Sequence, residues 1–112
     1  MNDLTFQELT VNGKTKILIL LVRNFVVAQV MIDKERNELF NLFVDENQRS
    51  QGYAKYLLRK AIEIYHPKYI EASNCYGSDI MSLIKLYKEV GFEIKDNVRM
   101  EIDYLAKTER KI

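Results

Sequence analysis

Glu38-Leu39-Phe40-Asn41-Leu42-Phe43-Val44 runs through Asp45–Gln48 into Arg49-Ser50-Gln51-Gly52-Tyr53-Ala54. The first seven residues read as a strand, and their nearly continuous apolar run indicates burial on both faces. From Gly52 the period changes. Ala54, Leu57, Leu58, Ala61, Ile62 and Tyr65 recur at helical spacings of three and four. His66-Pro67 ends that helix. Lys68–Ala72, with Tyr69-Ile70 as its apolar part, then reads as a short strand. Strand, helix and strand make a βαβ unit, which should be right-handed.

Upstream of this unit the chain reads as strands. Leu4–Val11, Lys16–Val22 and Phe25–Ile32 are separated by Asn12-Gly13, two residues that tolerate positive φ, and by Arg23-Asn24, short enough for a second tight turn. Asp33–Asn37 is a polar loop. With Glu38–Val44 these strands form an antiparallel meander. Downstream, Ser73–Gly77 is a polar loop and Ser78 an N-cap, with Asp79 in the first turn. Ile80, Leu83, Ile84, Tyr87 and Val90 share one helix face, and Gly91 suits the C′ position. Phe92–Ile94 and Arg99–Tyr104 read as strands around an Asp96-Asn97 turn. Lys107–Ile112 is a polar tail, expected to fray. The expected class is α+β: a mixed, mostly antiparallel twisted sheet with a central βαβ unit and two main helices. Residues 1–112 read as one domain, with 1–44 the meander, 45–104 the binding and C-terminal part and 105–112 a tail.

Composition narrows the function. The 112 residues include 47% apolar and 29% charged side chains, a globular balance. A net charge of +1 gives no prior for nucleic acid or an anionic membrane surface. The single cysteine, Cys75, rules out an internal disulfide and a cysteine-rich zinc site. Cys75 itself reads as a small loop residue. The apolar run Ile17–Val22 is too short to span a bilayer, and Met1–Leu4 lacks a signal-peptide pattern. The expectation is a reduced, cytoplasmic protein with no metal, no nucleic acid and no membrane partner.

The turn 49–54 carries the chemistry. The first N–H groups of a helix have no internal partners, and the dipole places about half a positive charge there. A phosphate satisfies both. Gly52 lets it approach the backbone, Ala54 keeps the next close position small, and Arg49 adds a guanidinium. With Ser50, Gln51 and Tyr53 this turn suits a diphosphate.

These residues resemble the GNAT superfamily of N-acetyltransferases. Its signature is Arg/Gln-x-x-Gly-x-Gly/Ala after a strand, here Arg49, Gly52 and Ala54. A Leu-Tyr-x-x-x-Gly-Phe helix end often follows, here Leu86, Tyr87, Gly91 and Phe92. The resemblance implies acetyl-coenzyme A as cosubstrate and direct transfer to a primary amine. It implies that the backbone at Phe43 and Val44 pairs with the pantetheine arm, and that a nearby N–H polarises the thioester. Tyr87 would be the acid for the departing thiolate, since a phenol pKa of ~10 is near that of a thiol. Tyr87 also suits a core position. Glu38, fourteen residues before Gly52, stands where histone-type members carry a catalytic glutamate. It is the candidate base, beside a solvated-charge reading. His66, at the far helix end, suits a cap.

Two departures stand out. The family often has Asn seven residues before the helix tyrosine and a small residue four before it; Ile80 and Leu83 stand there. Asn74 and Ser78 are the nearby polar substitutes for pantetheine contacts. Asn12-Gly13 also replaces the two helices that usually wall the acceptor site. An open acceptor site implies a flexible peptide or protein amine, or a second copy in a homodimer that completes the wall. The competing reading is a non-catalytic module that keeps coenzyme A binding or only the fold.

Overall fold

The computed structural model describes residues 3–49, 52–72, 80–95, 99–102 and 104. The strands are β1 (Leu4–Thr10), β2 (Thr15–Val22), β3 (Phe25–Asp33), β4 (Glu38–Val44), β5 (Tyr69–Glu71), β6 (Phe92–Ile94) and β7 (Arg99–Ile102). Helix α1 (Tyr53–Tyr65) lies between β4 and β5, and α2 (Ile80–Glu89) between β5 and β6. One sheet runs in the order β1-β2-β3-β4-β5-β7-β6. Among the described residues its single parallel pair is β4 with β5, joined by α1 as the βαβ reading requires. Every other pair is antiparallel.

The two early turns exchange mechanisms relative to expectation. Neither Asn12 nor Gly13 has positive φ. The Asn12 side-chain oxygen instead accepts the N–H groups of Lys14 at 2.8 Å and Thr15 at 2.9 Å. A side chain thus mimics a backbone turn over Val11–Lys14. Arg23 and Asn24 carry the positive φ values, 52° and 72°. That is the two-residue turn whose twist matches a right-handed hairpin.

The core lies between the sheet and both helices. Leu57, Leu58 and Ala61 of α1 and Tyr87 and Val90 of α2 join Leu18, Leu20, Val30, Leu39, Ile70, Phe92 and Met100 in one buried cluster. Each large aliphatic side chain buried there contributes about 2 kcal/mol. The helix ends follow backbone geometry. His66 closes α1 in the left-handed region, at φ 48°, with its N–H on the Ile62 carbonyl at 3.0 Å. Gly91, at φ 115°, follows α2 as expected of a C′ residue.

Strand β4 departs from the expected burial on both faces. Only Glu38 and Leu39 are buried; Leu42, Phe43 and Val44 are half-buried and Asn41 is exposed. The reason is the ladder. β5 pairs with β4 only at Glu38↔Tyr69 and Leu39↔Ile70. Beyond these rungs β4 continues without β5. A bulge against β3 at Asn41, which adopts φ 52°, bends this half further.

Candidate active site

Parting of β4 from β5 opens a cleft of about 430 Å³ under α1 and α2. Leu42 and Val44 form one wall, and Ser82, Leu83, Leu86 and Glu89 of α2 the other. Arg49, Gly52, Tyr53, Ala54 and Lys55 close its end. Five residues picked from the sequence therefore meet here: Val44, Arg49, Gly52, Tyr53 and Ala54. Ser50, Gln51 and Asn74 lie outside the described residues, as do Cys75, Ser78 and Asp79.

The turn leaves backbone N–H groups open at the start of α1. Gly52 caps α1 in the left-handed region, at φ 82° and ψ 5°, which a β-carbon disfavours. A Cβ placed there would meet nothing within 4 Å, so the space above the backbone is open. The first ladder bond runs from the Tyr56 N–H to the Gly52 carbonyl at 3.1 Å. The N–H groups of Tyr53, Ala54 and Lys55 precede it at the positive end of the dipole. No acidic side chain stands in this first turn. Arg49 donates its Nε–H to the Val44 carbonyl at 3.2 Å, which pins the end of β4 to the turn.

The remaining predicted residues are placed less simply. Phe43 pairs with Gln29 and does not line the cleft. Tyr87 is only 3% exposed and belongs to the core, while its neighbour Leu86 faces the cleft. Glu38 is 7% exposed, at the opposite end of β4 from Val44. Its Oε2 accepts the Arg99 Nε–H at 3.2 Å. The Arg99 guanidinium also lies over the Tyr69 ring, 5.4 Å from its centre. Leu83, where the family has a small residue, is a cleft wall.

Sequence reading missed Gln48, Lys55, Ser82 and Glu89 as cleft residues. Lys55 is legible in retrospect, since it lies in the first turn of the Gly52 helix. Ser82 and Glu89 carry no signal along the chain, because only the packing of α2 against α1 brings them to the cleft. The Lys55 ammonium lies 3.5 Å from the Glu89 carboxylate.

A family model for the acetyltransferase (GNAT) domain matches residues 1–105. The chain belongs to the GNAT acetyltransferase family. It is an acyltransferase of the acetyl-coenzyme A-dependent class. No curated protein sequence matches this GNAT domain significantly. Solved structures share its fold at low identity. YhhK from E. coli, bound to coenzyme A, is 16% identical with a TM-score of 0.70, over 89% of this chain and 98% of that one. A GNAT family acetyltransferase from Elizabethkingia anophelis, with acetyl-CoA bound, is 13% identical with a TM-score of 0.70, over 92% and 99%. The ribosomal-protein-S18-alanine N-acetyltransferase from E. coli is 18% identical with a TM-score of 0.63, over 81% and 70%. Among the described residues no group of three His, Cys, Asp or Glu could hold a metal, and no helix is long and apolar enough to cross a membrane.

Proposed function

We propose that this GNAT domain moves an acetyl group from acetyl-coenzyme A directly to a primary amine of a peptide or protein. The observation that carries this reading is the meeting of Val44, Arg49, Gly52, Tyr53 and Ala54 at one cleft under α2. The diphosphate lies on the N–H groups at the start of α1, and Ser50 and Gln51 are its further binding residues. The pantetheine follows the half of β4 that β5 leaves, near Phe43 and Val44, with Asn74 a further polar contact. The thioester then reaches the point where β4 and β5 part.

The amine nitrogen attacks the acetyl carbon, the C–S bond breaks, and the nitrogen loses a proton. Glu38 receives that proton, and Tyr87 protonates the thiolate. β1 joins β2 through Val11–Lys14 with no helix between them. That leaves room for an extended acceptor, or for a second copy of the chain as the missing wall. The site of action is the cytoplasm.

Two observations favour the non-catalytic reading: Tyr87 is in the core and Glu38 is already paired with Arg99. Calorimetric titration with coenzyme A, followed by thiol release from acetyl-coenzyme A against amines and peptides, separates the two. Turnover of a lysine peptide above that of polyamines or aminoglycosides is expected. Tight binding without thiol release on any acceptor would leave only the module.

A further inference from the structure

We propose that the β1–β4 part of the sheet face turned away from α1 and α2 is a dimer interface, and that its occupant is a second copy of this chain. Strand register assigns the faces. Leu18, Leu20, Val30 and Leu39 point into the core beneath the helices. Their neighbours along each strand point the other way. Leu9, Ile17, Met31 and Phe40 stand side by side in one row across β1–β4. Gln7, Ile19 and Gln29 lie in the next row, and Thr5, Leu21 and Val26 form a third. Leu9 is 43% and Val26 50% exposed, and Ile17, Leu21, Met31 and Phe40 are half-buried. Among the described residues no helix packs on this face, since α1 and α2 both join the core on the other.

Such a face calls for a cover. An antiparallel sheet with one wet face alternates apolar and polar residues. Strand β2 does not: Ile17 through Val22 is apolar at every position. A strand of that kind suits burial on both sides. None of the residues in the three rows is charged. Asp33 and Glu38 lie beyond the first row, and the Asp3–Arg23 ion pair beyond the third. A centre without charge inside a charged rim is the composition of a protein interface.

Two features select a second copy. Gln7 and Gln29 flank Ile19, and a carboxamide both donates and accepts. Each can therefore pair with a carboxamide of the other copy across a two-fold axis. The area also fits. Four strands about 4.8 Å apart and eight residues long, at about 3.3 Å each, cover about 500 Å² per copy. Two copies then bury about 1,000 Å², the size at which specific interfaces begin. Phe40 ends the first row two residues from Glu38, on the same face of β4. The second copy thus borders the carboxylate proposed as the base and walls the acceptor side. That last step rests on the acetyl-transfer reading, and the dimer itself does not.

Sedimentation equilibrium from about 1 to about 100 µM should show wild type passing from monomer to dimer. Leu9→Lys and Val26→Lys place a charge inside the interface. Each should raise the dissociation constant at least about tenfold, with far-ultraviolet circular dichroism unchanged. Ile94→Lys, at a residue 59% exposed on the helix side of β6, should leave the constant unchanged. Peroxide oxidation reads the interface in wild type without any substitution. Met31 should oxidise several times more slowly at about 100 µM than at about 1 µM, while Met81, 67% exposed on α2, keeps one rate. Wild type that stays monomeric throughout leaves the face to a different protein and overturns the second copy. Equal Met31 rates at the two concentrations, or a dimer that Ile94→Lys weakens as much as Val26→Lys, overturns the placement of the interface. Wild type that dimerises yet binds no coenzyme A overturns the cleft reading and leaves the interface standing.

Discussion

Arg99 donates its Nε–H to the buried carboxylate of Glu38 at 3.2 Å, joining residues 61 positions apart and tying the start of β4 to β7. β5 lies between the two strands, so the contact reaches across it. Arg99→Ala leaves Glu38 in a nearly dry place without this partner. Loss of a fully buried partner is expensive, but the Arg99 side chain is 38% exposed, which discounts the effect to about 2 kcal/mol. Chemical denaturation should show this loss. Glu38→Gln keeps the shape, so it should cost less stability. With Glu38 as the base, Glu38→Gln also lowers kcat/KM for the acceptor. An unchanged kcat/KM would move the role to water or another carboxylate.

Gly52→Asp should abolish coenzyme A binding while the chain still folds. The substitution places a negative charge at the open N–H groups of α1. It also forces a side chain to φ 82°, at a cost of about 1 kcal/mol. Gly52→Ala carries the strain without the charge, so it should retain weakened binding. Calorimetry on both variants separates charge from backbone strain, and equal binding by the two would refute the phosphate role.

Tyr87→Phe removes one oxygen from a residue in the core cluster. A proton donor to the thiolate requires this hydroxyl, and phenylalanine keeps the ring that fills this core position. The expected result is a thermal midpoint within a few degrees of wild type and a fall in kcat of about a hundredfold, with coenzyme A affinity kept. Full turnover in Tyr87→Phe would show that the thiolate leaves with a proton from elsewhere.

Tyr65 donates its hydroxyl to Glu8, which pins the C-terminus of α1 to the edge strand β1. The hydrogen bonds from Tyr65 and Lys16 hold the Glu8 carboxyl below its usual value. Burial, then Glu8, pushes the Tyr65 phenol up. A lowered carboxyl stabilises the fold above its unfolded value of 4.5, and that gain fades as pH falls through the folded value. A raised phenol stabilises below its unfolded value of 10.0, and that gain fades as pH rises through the folded value. Tyr65→Phe should therefore lower the thermal midpoint most between these limits. Both groups are partly exposed, so the loss is about 1 kcal/mol, or several degrees. A midpoint difference that stayed the same at pH 3 and pH 7 would contradict the assignment.

Much of this architecture was written in local patterns. The period change at Gly52, the helical stripe from Ala54 to Tyr65 and the glycine after Val90 are short-range signals, because helix and strand periods follow from backbone geometry. They placed α1, α2 and the βαβ crossover, and the chemistry of helix N-termini singled out Arg49, Gly52 and Ala54, which line one cleft. Local pattern could not say which of two tight turns would carry positive φ. Asn12 solved its turn with a side chain, and Arg23-Asn24 took the strained backbone.

Tertiary structure alone decided what faces the cleft. Burial of β4 depended on how far β5 accompanies it, and β5 leaves after Leu39. Tyr87 and Leu86 are adjacent in sequence, yet packing of α2 sends one into the core and the other to the cleft wall. Glu38 reads as a charge at a strand start, and only the fold across β5 supplies Arg99 and its burial. Local propensity acts over one turn or one rung, whereas burial and ion pairing depend on distances that the folded sheet alone sets.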